Sequence, residues 1–448
     1  MNKKFCPVPW SYLALKNNGD FRVCCHANTS NDRGLLRKED DSKFNIATDK
    51  IQDARQSKLM NEVRLSMLNN VEHATCVRCD KEDLAGMHSR RQYEKERAQD
   101  VTLEKALEVT NADGSIDTQK MAVRFMDLRF GNRCNLKCRM CGPTDSELWY
   151  DDHVNLWDQT TFNEGGEQVQ LIQNAKGKWT ADTKKYNWID EDHSWDQIKS
   201  NLNELEYIYI VGGEPLLVSG HVEVLKECIE RGLASKITLE YNTNLTLLPD
   251  DVLELWKQFK IVRVGISIDG VKEVNDYIRS PSKWGQIEFN LNKLMSHNTK
   301  LNFEVWFSLT YQAYNAYHLI TVLEWIKNEF VLSDKPGFSK ISLKTHPLHK
   351  PEHLSVKILP ENNKAELIQQ YCDYIQKLKN EQNLISTPRF EKFLKSTEKT
   401  LNSNIAFIKN EDLSIHLDTF LRFTKDLDKM RSENIEKVIP EIGRLIYG

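Results

Sequence analysis

No stretch of this chain approaches the roughly 18 consecutive apolar residues of a membrane-spanning helix, so a spanning segment is not expected. A mean hydropathy of −0.57 leans the same way. Strong charge of one sign is also missing: 61 Lys and Arg against 65 Asp and Glu leave a formal −4. That balance gives no general pull toward nucleic acid or anionic lipid, and nucleic acid is not supported as a partner. Behind the lysines of MNKKFCPVPW there is no apolar run to act as a secretory signal, so a cytoplasmic location is expected. In a reducing compartment the ten cysteines are not expected to form disulfides, and their grouping points to metal ligation.

What is present is ordinary globular composition, 40% hydrophobic and 28% charged, over a length that suits two or three domains. The pattern divides into a Cys-bearing segment (1–98), a linker (99–120), an alternating strand and helix region (121–350) and a charged helical region (351–448). Six apolar or β-branched runs, at 123–130, 207–211, 237–241, 262–268, 303–309 and 341–343, read as strands. Helical patterns fill most gaps between them, so the fold class is α/β, a partial barrel of six β-α units.

Strand parity puts Glu240 with Asn242, Ser267 with Asp269, Glu304 with Ser308, and Lys344 with His346 on one side, the side expected to face a polar lumen. Residues 149–200 form an insertion carrying five of the ten tryptophans, readable as a lid or as an accessory hairpin with its own core.

Directly after the first predicted strand, RFGNRCNLKCRMCGP sets Cys134, Cys138 and Cys141 in a CxxxCxxC loop. Three thiolates on a four-iron cluster leave one iron open, as a catalytic centre requires. The second predicted strand ends in Gly212, Gly213, Glu214 and Pro215, where glycines permit close backbone approach and a carboxylate can accept from an ammonium group. With both motifs on one rim, the chain resembles the radical S-adenosylmethionine (SAM) superfamily, a partial TIM-like barrel.

The resemblance implies a 4Fe-4S cluster on Cys134, Cys138 and Cys141, SAM chelating the fourth iron, and Gly212, Gly213 and Glu214 at its methionine end. SIDGVKEVNDYIRSP resembles the family stretch in which Ser267 and Arg279 contact SAM. Asn275 stands there where many relatives have histidine, so it receives no role. Asn242 and Asn244 resemble the polar end of the third strand. The function implied is reductive cleavage of SAM to a 5'-deoxyadenosyl radical that abstracts hydrogen from a substrate.

A second group comprises Cys6, Cys24 or Cys25, Cys76 and Cys79, with Asn18-Gly19 predicting a hairpin that brings Cys24 near Cys6. Four thiolates suit zinc or an iron-sulfur cluster equally. CPVPW, GDFRVCC and CVRCDKEDLAGMHSRR resemble the SPASM/twitch auxiliary module, here ahead of the barrel rather than behind it. That implies an auxiliary 4Fe-4S cluster on Cys6, Cys24, Cys76 and Cys79, with Cys24 preferred on spacing. It also implies a peptide or protein substrate and a reducing donor such as a flavodoxin or ferredoxin. The alternatives are radical modification of a small molecule, carbohydrate or RNA, and a noncatalytic zinc-binding scaffold.

Other features read more plainly. Cys228 and Cys372 sit at helical spacing among apolar residues and are expected to be core thiols. Asp127 and Arg129 share a strand face and are expected to pair. HSRRQYEKERAQ is expected to be a solvated joining helix. His346, His349 and His353 are not expected to form a ligand set.

Overall fold

The computed structural model describes residues 2–27, 34–84, 88–297, 303–333 and 341–447. Ala85, Gly86 and Met87 of the second cysteine stretch lie outside the described residues. One eight-stranded sheet runs through the chain. Its strands are β1 (Tyr12–Leu15), β2 (Phe21–Arg22), β3 (Phe125–Phe130), β7 (Tyr207–Gly212), β8 (Thr238–Thr243), β9 (Ile261–Ser267), β10 (Phe303–Tyr311) and β11 (Ser342–Pro347). The remaining three, β4 (Thr161–Glu164), β5 (Glu167–Gln173) and β6 (Trp179–Ala181), form a separate antiparallel sheet in the insertion.

The main order is β11-β10-β9-β8-β7-β3-β1-β2, parallel throughout except for the β1/β2 hairpin. This is the architecture of a partial TIM-like barrel. The six expected strands are its core, and two were not anticipated as part of it. β1 and β2 belong to the N-terminal hairpin, and β1 pairs in parallel with β3, Tyr12 opposite Phe125 and Ala14 opposite Asp127. The apolar YLAL segment is buried at every position, so it behaves as an interior strand and not as an exposed hairpin arm.

The parity expected for the lumen is the parity observed. Leu239, Tyr241, Val264, Ile266 and Phe307 are buried in the hydrophobic core, whereas Asn242 and Ser267 face a cavity inside the barrel. Tyr207 and Glu240 meet by a short hydrogen bond, and Arg263 reaches Glu240 at 2.6 Å and Glu304 at 3.0 Å. The lower lumen is closed by aromatic rings: Tyr12 stacks on Phe125 at 4.1 Å and Phe125 on Tyr207 at 4.9 Å.

The charged 90–97 segment does not lie in solvent as expected. Arg97 sits 3.8 Å over the Phe125 ring, Glu94 and Arg91 are buried, and Arg91 pairs with Asp80 and Asp83. Its helix (Arg90–Arg97) caps the aromatic floor, where cation-π contact and internal pairing satisfy charges that a periodicity argument assigns to water.

The insertion has a small core of its own, Tyr150, Phe162, Val169, Leu171 and Tyr186. Two of its tryptophans leave that core: Trp188 and Trp195 pack on Phe130 at the end of β3. In the C-terminal region, helices Glu361–Gln382 and Pro388–Lys409 pack together, Pro388 standing at a helix start capped by Thr387. The buried stripe Leu367, Tyr371, Tyr374 and Leu378 leaves Cys372 exposed, against the expectation of a core thiol; Cys228 is buried. No helix among the described residues is long and apolar enough to cross a membrane.

Candidate active site and second cysteine site

The segment after β3 cannot form a helix while Cys134, Cys138 and Cys141 converge, so its backbone is tied elsewhere. Lys137 N–H donates to Ser280 at 2.7 Å and Arg139 N–H to Ile278 at 2.8 Å, which hangs the loop on the segment after β9. Trp149 Nε1 donates to the Cys138 carbonyl at 2.9 Å, and Ser146 Oγ to the Leu136 carbonyl at 2.7 Å.

Arg139 is fully buried. Its guanidinium lies 3.7 Å over the Tyr277 ring and reaches Asp428 and Glu433, both at 2.5 Å. Asp428 also accepts from Tyr277 Oη at 2.8 Å and from the Ile435 N–H at 2.8 Å. The helical C-terminal region, opaque in sequence, therefore clamps the cysteine loop.

Above the aromatic floor, at the C-terminal ends of the parallel strands, lies a cavity of about 270 Å³ lined by all three cysteines. Gly212, Gly213, Asn242, Asn244, Ser267 and Arg279 also line it, joined by Arg129 from the shared face of β3 and by Tyr209 and Asn17, which the motifs did not single out. Asn17 comes from the N-terminal hairpin and donates to the Thr144 carbonyl at 2.9 Å.

Glu214 and Pro215 stand behind this wall. The Glu214 carboxylate accepts from Leu216 N–H (3.1 Å), Thr243 Oγ1 (2.8 Å) and Asn244 N–H (2.8 Å), joining the ends of β7 and β8. Burial pushes its pKa up to about 7 against those three donors. The glycines before it accommodate protein backbone: a Cβ on Gly213 would meet the Arg133 carbonyl oxygen at 2.3 Å, and one on Gly212, at φ +129°, the Phe130 nitrogen at 2.5 Å.

Arg279 pairs with the buried Asp269 at 2.7 Å and its guanidinium lies 4.0 Å from Cys138 Sγ. Asp269 additionally accepts from the Thr310 N–H, while Asn275 accepts from the Asp269 N–H at 3.1 Å. Asn275 is thus a brace for the Asp269 turn. Asp127 sits between Arg22 at 3.0 Å and Arg129 at 3.2 Å, as the shared face of β3 suggested.

A hydrogen bond from Cys141 and then the charge of Arg279 hold the Cys138 thiol below its ordinary range; the same contact raises Cys141, and burial pushes Cys134 up to about 12. Three thiols so deeply desolvated become thiolates together only when a cation shares the site. Asn242 donates to Tyr209 Oη at 2.7 Å and leaves its buried Oδ1 without a partner. The residues present fit an iron-sulfur cluster with a polar ligand beside it.

The second group also converges. Cys6, Cys24, Cys76 and Cys79 line one small cavity together with His26, and Cys25 is not among its lining residues. Burial raises the Cys6 and Cys24 thiols, and pushes Cys76 up to about 11. Burial also holds His26 at about 4. Four converging thiols are a donor set for zinc or an iron-sulfur cluster. His349 and His353 turn instead onto different aromatic rings, Phe407 and Phe423.

Residues 128–309, which hold the cysteine loop, the glycine pair and Arg279, match the family described as the radical SAM superfamily. This segment is therefore similar to radical SAM domains. An uncharacterized protein of Methanothermobacter thermautotrophicus is 32% identical over 94 residues, 20% of this chain and 36% of that protein. Among solved structures, native anSMEcpe with bound AdoMet aligns at 17% identity and a TM-score of 0.35, covering 57% of this chain and 61% of that one. Streptococcus suis SuiB bound to precursor peptide SuiA aligns at 13% identity and a TM-score of 0.35, covering 77% and 67%. The chain thus spans little more than a third of the curated relative's length and about three fifths of the first of these structures.

Proposed function

We propose that this protein is a radical SAM enzyme that abstracts hydrogen from a peptide or protein substrate. The carrying observation is that Cys134, Cys138, Cys141, Gly212, Gly213, Ser267 and Arg279 line one cavity at the C-terminal ends of parallel strands. When bound, a 4Fe-4S cluster and SAM supply one-electron cleavage of a sulfonium bond and a 5'-deoxyadenosyl radical.

The chain's own residues do the rest. Cys134, Cys138 and Cys141 hold iron and leave one position for SAM. Gly212 and Gly213 shape the wall at the methionine end. Asn242 and Ser267 offer polar atoms, and Arg279 supplies positive charge beside Cys138. Glu214 acts as the tie that fixes the glycine turn. The aromatic floor of Tyr12, Phe125 and Tyr207 seals the lumen below, which limits access of water.

Cys6, Cys24, Cys76 and Cys79 are proposed to hold an auxiliary 4Fe-4S cluster. The peptide substrate rests on the resemblance of this region to the SPASM/twitch module, and an electron donor such as a flavodoxin or ferredoxin is part of the same reading. The test is anaerobic reconstitution, dithionite reduction, addition of SAM and quantification of 5'-deoxyadenosine. Product in the parent protein that vanishes in Cys138→Ala supports the reading. An intact, reduced cluster that cleaves no SAM overturns it.

A further inference from the structure

The second cysteine cavity contains one donor more than a four-iron cluster requires. His26 lines it beside the four thiols, delivered by the turn after β2 in which Ala27 N–H bonds to the Cys24 carbonyl at 3.2 Å. One ring nitrogen of His26, Cys79 Sγ and a Glu82 carboxylate oxygen all lie within 4.8 Å of one another. The ring is only partly exposed, and its Nδ1 is buried without a hydrogen-bond partner. Such an atom costs free energy unless something occupies it, and an iron beside Cys79 would do so.

We propose that His26 is a ligand of the second cysteine site, binding the iron at the corner that Cys79 holds. The inference rests on the reading of that site as an iron-sulfur centre. Imidazole and thiolate are both suited to iron. Glu82, itself paired with Arg78 at 2.9 Å, adds a carboxylate to the same group of donors. Two donors at one corner also make that corner redundant: loss of either leaves the iron held.

The test uses the full chain carrying Cys134→Ala, Cys138→Ala and Cys141→Ala, so that any remaining cluster belongs to the second site. After anaerobic reconstitution and reduction, iron content and pulsed EPR are measured on protein grown with ¹⁴N- or ¹⁵N-histidine. About four irons per chain, with the isotope-dependent nitrogen coupling of a bound imidazole, is the expected result. The coupling should disappear in His26→Ala. His26→Cys should keep the iron and lose the coupling.

A cluster with no histidine coupling, or coupling that survives His26→Ala, overturns the ligand assignment while leaving the cluster reading intact. Absence of iron from the triple variant overturns both and is seen before any spectrum is taken. In the same background Cys79→Ala should retain iron that Cys79→Ala/His26→Ala loses; equal loss in the two also overturns the assignment.

Discussion

Arg139, two residues before the last cysteine of the CxxxCxxC loop, donates to Asp428 at 2.5 Å across 289 residues of sequence. Both side chains are buried, and the pair is the point at which the helical region Leu417–Arg431 grips the cysteine loop. Removing one partner of a buried ion pair leaves an uncompensated charge. Arg139→Met should therefore cost about 3–5 kcal/mol in urea unfolding. Asp428→Asn, which keeps an acceptor for Tyr277, should cost less, and a smaller loss for Arg139→Met than for Asp428→Asn would contradict this account.

Glu214 predicts a pH dependence of stability. Its folded pKa of about 7 lies above the ordinary 4.5, so between these values the folded chain keeps a proton that the unfolded chain has lost. The associated stability is full below the ordinary carboxylate value and is lost as pH rises through 7. Its size is on the order of 3 kcal/mol for a displacement of this kind. Denaturation of metal-free protein across this range should show the decline, and Glu214→Gln should remove that part of the slope.

Gly213 is held against the Arg133 carbonyl too closely for any side chain. Gly213→Ala should push the end of β7 away from the cysteine loop at a cost of about 1–3 kcal/mol. Because Gly213 also lines the cavity, SAM affinity measured calorimetrically should fall more than thermal stability does.

Cys24 and Cys25 should separate cleanly by metal content. Cys24 lines the second cavity and Cys25 does not. In protein lacking the three loop cysteines, Cys24→Ala should strip the remaining iron and Cys25→Ala should retain it; the reverse pattern would exchange their roles.

Much of the barrel was legible because each strand is a short apolar run bounded by turn residues, and period two alone assigned Asn242 and Ser267 to the lumen. The cysteine loop was legible because its spacing is a local property. What escaped were relations between distant segments. Nothing local marks Arg139 as the partner of Asp428, or YLAL as a neighbour of β3. Charge misled where it is internally neutralised: Arg91 and Glu94 read as solvated but are buried against opposite charges and rings. The motif drew attention to Glu214, yet its role as a tie between β7 and β8 depends on donors from Thr243 and Asn244 that only folding supplies.

The pairing of β1 with β3 bears on how this chain can be dissected. Cutting near residue 98 would not release a self-sufficient barrel from an appendage, because β3 would become an unprotected edge strand, its ladder groups open to pairing with other copies. Tyr12 would leave the Phe125 ring, and Asn17 would leave the cysteine loop. The hairpin that carries Cys24 is thus structurally part of the main sheet, and the spacing between the two cysteine groups is set by the strands of that sheet rather than by a tether.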